Sequence, residues 1–172
     1  GRWIELDEPQ VIAYKEERLP AANSDNELQR ISIDFATESL EQKLAPYSGR
    51  SPVTVVIEGV LGYLDEAAIG KLLETLNHLF PRHRLICDLM TKEFFEKNAS
   101  TINEKLTGMG ATFKFTIDNP EEVFLKSGYR RLETIPVIEK AVLFEAGEIP
   151  ADVWQTIQPT LPQGYSIHVF EK

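Results

Sequence analysis

Three acidic side chains stand where predicted β-strands end, and their type and position suit ligand binding. Asp7 ends the first strand, Asp34 follows the second, and Glu58 follows the third, at residues 53–57. In open α/β sheets, ligands bind in the crevice beyond the carboxyl ends of the strands. Acids after strands also cap the helices that follow them. Asp7 lies two residues before Pro9, so helix capping alone could explain its presence. Both interpretations remain open for each residue.

The residue types around these acids indicate what kind of ligand would bind. A carboxylate at the end of an early strand of a nucleotide-binding sheet commonly accepts hydrogen bonds from ribose hydroxyls. In the pair Asp34-Phe35, the carboxylate could accept from the amino group of adenine while the ring packs on its face. Glu58 would then face the part of the ligand nearer the reacting centre.

Alternating strands and helices must position these acids. Strand patterns at 3–7, 28–33, 53–57 and 83–89 alternate with helical patterns, among them one after Pro9, a short one capped by Thr37, and one capped by Asp65. This alternation predicts an α/β fold with a mostly parallel sheet. The β-branched run at 53–57 predicts a central strand buried on both faces. The last strand, 165–170, alternates apolar and polar residues.

The second half of the chain is more irregular. Residues 91–110 are predicted to be helical, and 113–117 briefly extended. Asn119-Pro120 is a helix start and Gly128 a left-handed helix end. No repeat or linker divides the 172 residues, so a single domain, 1–172, is predicted.

Composition excludes several classes of function. The chain is 42% hydrophobic and 26% charged, as in a globular protein, and its net charge of −9 argues against nucleic acid or an anionic membrane as a partner. Cys87 lies in an apolar run and is predicted to be buried, which fits a cytoplasmic setting. Three scattered histidines show no ligand spacing, so no metal is predicted. No phosphate-binding glycine-rich turn, serine elbow or Cys/His pair is present either.

Several segments in collinear order resemble the leucine carboxyl methyltransferase family, which includes polyketide O-methyltransferases. The segment from Trp3 to Lys15 resembles the family pattern E-x-D-x-P-x-x-I-x-x-K/R, and Ile57-Glu-Gly-Val-Leu-Gly-Tyr-Leu64 resembles A-E-G-V-L-M-Y-L. Further matches are Ile33-Asp-Phe35, the F-P-x-x-x-L-I-x-D segment at 80–88, and Ser127-Gly-Tyr129.

The resemblance implies a Rossmann-like, mostly parallel sheet with an antiparallel C-terminal strand, and S-adenosylmethionine as the cofactor. Carried over by position, Asp7 would contact the ribose, Asp34 and Phe35 the adenine, and Glu58 the methionine moiety. Tyr63 would border the substrate pocket, unless it is only a core aromatic at a helix start. A helical insertion around 91–118 would cover that pocket. No catalytic residue is implied.

One departure from the family concerns its first strand and glycine-rich turn, which would lie upstream of Arg2 together with an N-terminal helical region. The expectation is therefore an incomplete, C-terminal portion of such an enzyme, whose exposed strand could pair with another copy in a homodimer. The predicted function is O-methyl transfer to a carboxylate or hydroxyl of a small molecule. The alternatives are a non-catalytic remnant that acts by association and, less favoured, a nicotinamide-dependent oxidoreductase.

Overall fold

The structure is a computed structural model, and it describes residues 1–99, 112–115, 117–144 and 164–172. The chain divides into two compact units, residues 1–49 and residues 50–172. Among the described residues, no helix is long and apolar enough to cross a membrane.

The first unit is a two-stranded parallel sheet with two helices. Its elements are β1 (Arg2–Asp7), α1 (Pro9–Arg18), β2 (Glu27–Ser32) and α2 (Leu40–Leu44). Asp7 pairs with Ser32 at the carboxyl ends of the two strands, and the Asp7 carbonyl accepts a hydrogen bond from the Ile33 N–H at 3.0 Å. The strands therefore end side by side.

The helix starts of this unit follow from local chemistry. Pro9 occupies the first position of α1, where its missing N–H costs nothing and its fixed φ suits a helix. The prediction that Thr37 caps α2 is wrong. Ser39 is the cap and accepts a hydrogen bond from the Gln42 N–H at 3.3 Å, because Thr37 is held in the preceding turn by Asp34.

The second unit contains a four-stranded sheet in the order β3-β4-β6-β5. Its elements are β3 (Val53–Ile57), α3 (Glu66–Leu79), β4 (His83–Met90), α4 (Lys92–Phe94) continued by a π-helical turn (Phe95–Ala99), α5 (Glu122–Lys126), β5 (Arg130–Pro136), α6 (Val137–Leu143) and β6 (Tyr165–Glu171). Strands β3, β4 and β5 point one way, and β6 is antiparallel to both of its neighbours. The predicted α/β class and antiparallel C-terminal strand are confirmed.

Strand β3 has one exposed face, which carries Thr54 and Val56, so the prediction of a strand buried on both faces is wrong; the strand also lies at the edge of this sheet. Among the described strands it pairs with β4 alone, and the Val56 side chain is 54% exposed. A run of β-branched residues favours the extended backbone. It does not determine whether a neighbour covers each face.

Helix α3 has the predicted amphipathic stripe. The Asp65 carboxylate accepts a hydrogen bond from the Ala68 N–H at 2.8 Å and so caps the first turn, as predicted. The side chains that recur every three or four residues are buried: Ile69, Leu73, Leu76 and Leu79.

Aromatic packing joins α5 to the sheet. Phe124 and Phe170 are fully buried and their rings stack with centroids 4.7 Å apart. Tyr129 meets both rings edge-on, and its hydroxyl donates to buried His83 Nε2 at 2.9 Å, while His83 Nδ1 faces the Phe80 carbonyl at 2.6 Å. With Nδ1 protonated for that carbonyl, Nε2 is the acceptor, so His83 is a neutral core residue.

Later elements match the sequence expectations in part. Gly128 ends α5 with φ +84°, the predicted left-handed position. The helix start predicted at Asn119-Pro120 is wrong: these residues lead through a turn to α5, which begins at Glu122 with Glu121 as its N-cap. Residues 100–110 of the predicted helix over 91–110 lie outside the described residues. The single-domain organisation and the covering role of 91–118 stay predictions.

Candidate functional site

The spacing of acids and lysine in the first unit has a structural cause. Glu5 and Asp7 are two residues apart on β1, so their side chains project from the same face of the strand. Lys15, two helical turns into α1, donates to Glu5 Oε1 at 2.5 Å and to Asp7 Oδ2 at 3.2 Å. Arg30 Nε, on β2, donates to Glu5 Oε2 at 2.9 Å. We call these four residues the Lys15 network.

Charge pairing shifts the pKa values within this network. The hydrogen bond from Lys15 lowers the pKa of the Glu5 carboxyl against the opposing effect of burial, and the bond to Glu5 raises the pKa of the Lys15 ammonium. Asp7 Oδ1 also accepts from the Glu8 N–H at 2.9 Å. Asp7 is thus fixed at the strand end by bonds to both oxygens, and its unused lone pairs remain for a ligand.

Asp34 organises the loop after β2. Its Oδ1 accepts from the Ala36 N–H at 2.9 Å and its Oδ2 from the Thr37 hydroxyl at 2.6 Å, and these bonds lower the pKa of the carboxyl. The adjacent Phe35 ring is 52% exposed. An exposed phenyl ring beside an ionised carboxylate is the arrangement that the sequence predicted for an adenine contact, although the turn alone would also explain Asp34.

Glu58 and the glycine after it lie at the carboxyl end of β3. The Glu58 side chain is exposed, and within the described part of the chain its carboxylate has no hydrogen bond or ion pair. Gly59 adopts φ +65°, which glycine tolerates, and its N–H donates to Asp88 Oδ1 at 2.8 Å. Asp88 on β4 thus fixes the turn that presents Glu58.

A cavity of about 140 Å³ opens beside this turn, and we call it the aromatic pocket. Tyr63 forms one wall, stacked on Phe113 with ring centroids 4.8 Å apart, and Phe95 meets Phe113 edge-on at 5.4 Å. Leu61, Leu89, Met90 and Phe115 add apolar surface, and Gly59, Gly62, Asp88 and Tyr165 complete the lining. Tyr63 thus lines a cavity, and its predicted role at a substrate pocket stays a prediction.

Gly62 fixes the wall that Phe113 forms. Its carbonyl accepts hydrogen bonds from the backbone N–H groups of Lys114 at 2.7 Å and Phe115 at 3.1 Å. A Cβ atom at position 62 would lie 2.6 Å from two ring atoms of Phe113. Glycine is therefore required for this close approach.

Asp88 and Tyr165 form the polar end of the pocket. The Tyr165 hydroxyl donates to Asp88 Oδ2 at 3.3 Å, a long hydrogen bond. Burial, the negative charge of Asp88 and that of Glu58 raise the pKa of Tyr165 to about 12, so the phenol stays protonated. Asp88 and Tyr165 were not among the predicted site residues. A signal for Asp88 was present, since it is a fourth acid near the end of a predicted strand, although the structure places it two residues before the end of β4.

The remaining nucleophilic and metal-binding side chains have structural roles. Cys87 is buried, as predicted, and burial raises the pKa of its thiol. No group of three or more His, Cys, Asp or Glu side chains among the described residues could hold a metal ion.

Of the five predicted site residues, Asp7, Asp34 and Phe35 share the carboxyl edge of the β1–β2 sheet. Glu58 and Tyr63 follow β3 in the second unit, where the structure adds Asp88, Tyr165 and Phe113.

Solved structures with a similar fold are S-adenosylmethionine-dependent methyltransferases and related proteins. A DUF574 family protein from Streptomyces avermitilis has 14% identity and a TM-score of 0.64, over 99% of this chain and 65% of its own length. An S-adenosylmethionine-dependent methyltransferase from Mesorhizobium loti has 11% identity and a TM-score of 0.64, over 98% of this chain and 80% of its own. An O-methyltransferase family 2 protein from Planctomyces limnophilus, solved with apigenin, has 12% identity and a TM-score of 0.57, over 99% of this chain and 42% of its own length. The chain therefore has the methyltransferase fold.

The family model for leucine carboxyl methyltransferases matches residues 2–77, so the resemblance to that family is confirmed over this segment. A search of curated protein sequences finds no relative of the chain. The chain spans 65% of the Streptomyces protein and 42% of the Planctomyces protein, less than two thirds of either.

Proposed function

We propose that the chain is part of an S-adenosylmethionine-dependent O-methyltransferase that acts on a hydroxyl or carboxylate of a small molecule. The observation that carries this proposal is that the family match, residues 2–77, contains all five predicted site residues. The Mesorhizobium protein of the same fold is described as S-adenosylmethionine-dependent. Because the chain spans only part of its structural relatives, the proposal includes its being the C-terminal portion of a longer protein.

The side chains suit the proposed cofactor. The exposed Phe35 ring would stack on the adenine while Asp34 accepts from its amino group, and Asp7 would accept from the ribose hydroxyls. Glu58, without a partner among the described residues, would accept from the ammonium of the methionine moiety. Since an ionised carboxylate offers about four lone-pair sites, the local bonds of Asp7 and Asp34 leave room for these contacts.

The cofactor supplies a methyl group that is already activated by its positive sulfur. When bound, the cofactor would supply this methyl group to the acceptor oxygen and keep the electron pair on its sulfur, and a hydroxyl acceptor would release its proton. The chain itself needs to align the two reactants and exclude water. The apolar walls around Tyr63 and Phe113 suit that task, which also explains why no catalytic triad is required.

Calorimetric titration with S-adenosylmethionine tests the proposal on this chain and on a product extended upstream in the gene. We expect Phe35→Ala and Glu58→Gln each to weaken binding about tenfold, the equivalent of one lost contact worth about 1.4 kcal/mol. Tyr14→Ala and Glu74→Gln are matched controls, because they remove an exposed ring and an exposed carboxylate outside the predicted site. Absence of binding by the extended product would exclude the proposed function.

The exposed edge of β3 favours a second candidate function, a non-catalytic module that self-associates. Parallel edge strands with apolar side chains are prone to pair with another chain, and Val56 and Val60 are exposed at 54% and 43%. Light scattering distinguishes the two functions. A homodimer that Val56→Lys dissociates, in a chain that does not bind the cofactor, would favour the module.

A further inference from the structure

The aromatic pocket has the size and surface of a site for one aromatic ring. Its volume of about 140 Å³ is close to the roughly 150 Å³ of an engineered apolar cavity that binds benzene. The rings of Tyr63, Phe95 and Phe113 all line the pocket: Tyr63 and Phe113 stack on each other, and Phe95 meets Phe113 edge-on. A planar ring inserted here could stack offset on the wall or meet it edge-on, which are the favoured aromatic geometries.

The described lining of the pocket carries negative charge only. Asp88 is the one ionisable group that is charged at neutral pH among the described lining residues, and these include no lysine, arginine or histidine. The Tyr165 hydroxyl is committed to Asp88 Oδ2, and Tyr165 also lies in the field of Glu58. A carboxylate in this half-buried, apolar space would be repelled by Asp88, and the described lining residues include no cation to offset the repulsion.

A hydroxyl group, in contrast to a carboxylate, can form a hydrogen bond with Asp88. Asp88 Oδ1 accepts from the Gly59 N–H and Oδ2 holds a long bond from Tyr165, so lone pairs of the carboxylate remain for another donor. A neutral O–H can donate to an ionised carboxylate, and such charge-assisted hydrogen bonds are stronger than neutral ones. A carboxylate ligand has no proton to donate at neutral pH.

We infer that the aromatic pocket takes an uncharged aromatic hydroxyl compound as acceptor, and that Asp88 selects it against carboxylates. This inference rests on the proposed function and decides between its two acceptor classes. It also departs from the carboxyl acceptor that the name of the matching family describes.

Three single-ring probes test the inference on the full chain at pH 7.5: phenol, benzoate and benzamide. Benzamide is close to benzoate in shape but neutral, so it separates the effect of charge from that of size. Dissociation constants are measured by calorimetry or ligand-observed NMR. We expect phenol to bind at least tenfold more tightly than benzoate, and benzamide to bind more tightly than benzoate.

The variant Asp88→Asn removes the charge, while its amide oxygen can still accept from the Gly59 N–H. We expect this variant to narrow the ratio of phenol to benzoate affinity at least threefold, and Glu74→Gln, on the exposed face of α3, to leave the ratio unchanged. High salt provides a measurement on the unmodified chain. Benzoate binding should strengthen as salt screens Asp88, and phenol binding should not change.

Equal or tighter binding of benzoate than of phenol, a ratio unaltered in a folded Asp88→Asn variant, or no binding of any probe at millimolar concentration would overturn the inference. Titration with S-adenosylmethionine separates this failure from that of the proposed function. Cofactor binding together with a preference for benzoate refutes the inference alone. Failure of the extended product to bind the cofactor, with the preference for phenol intact, refutes the proposed function and with it the acceptor role, but leaves the selectivity of the pocket for hydroxyl compounds standing.

Discussion

Replacing Lys15 by methionine tests the structural reason for the acid-and-lysine spacing in the first unit. Methionine keeps most of the length of the side chain and removes its charge. The change leaves Glu5 with Arg30 as its remaining cationic partner and removes the cation from Asp7 Oδ2. The resulting loss of stability should therefore be electrostatic and should depend on pH.

The magnitude follows from two partly exposed ion pairs. The Lys15 side chain is 35% exposed, and exposed pairs contribute about 0.2–1 kcal/mol each after solvent screening. We expect Lys15→Met to lower the free energy of unfolding by about 1–1.5 kcal/mol at pH 7. Because the pKa of Glu5 is lowered in the folded state, its stabilisation is present above the unfolded carboxyl pKa and is lost as the pH falls through the folded one. The difference between wild type and variant should therefore shrink by at least half between pH 7 and pH 3.

Urea unfolding followed by circular dichroism at a series of pH values measures this difference. Lys126→Met is the control, since its pair with Glu122 involves a lysine that is 70% exposed and should contribute at most about 0.5 kcal/mol. A double-mutant cycle with Glu5→Gln isolates the pair and should give a coupling of about 0.5–1 kcal/mol. A loss that stays constant from pH 7 to pH 3, or a coupling near zero, would refute the electrostatic account of the network.

Three further predictions concern the second unit. Burial lowers the pKa of His83, so stability should fall as the pH drops below about 6.5, the unfolded value. His83→Gln should reduce that slope in urea unfolding but not abolish it, because His168 has a pKa lowered by burial too. Gly62→Ala should displace the Phe113 ring and weaken phenol binding at least fivefold, with little change in the unfolding midpoint; unchanged binding would contradict the assigned contact. Phe170→Ala should cost about 3–5 kcal/mol of stability through a cavity in the aromatic core, and a loss below 1 kcal/mol in urea unfolding would show that this core collapses around the change.

Local chemistry explains why much of the fold could be predicted from the sequence. Pro9, the Asp65 cap and the left-handed Gly128 act within a few residues of themselves, and all three lie where the sequence placed them. Burial of β3 depends instead on which elements lie against it. A sequence pattern reports the preference of the strand and not its neighbours, so the exposure of Val56 was missed.

The same distinction applies to the candidate site. The acids Asp7, Asp34 and Glu58 could be selected because each lies within two residues of the end of its own strand. A pocket beside Tyr63 was expected only from the family resemblance. The residues themselves could not indicate it, because Tyr63 meets Phe113 across 50 residues of sequence and Asp88 meets Tyr165 across 77. Aromatic residues at such separations give no periodic signal, and only the folded sheet brings them together.

The turn after β3 is held at both ends. At one end, the Gly59 N–H donates to Asp88, and at the other the Gly62 carbonyl accepts from the segment that carries Phe113. The Glu58 carboxylate and the Phe113 ring are therefore attached to one constrained backbone segment of five residues. A substitution that removed either anchor would act on both the exposed carboxylate and the wall of the aromatic pocket.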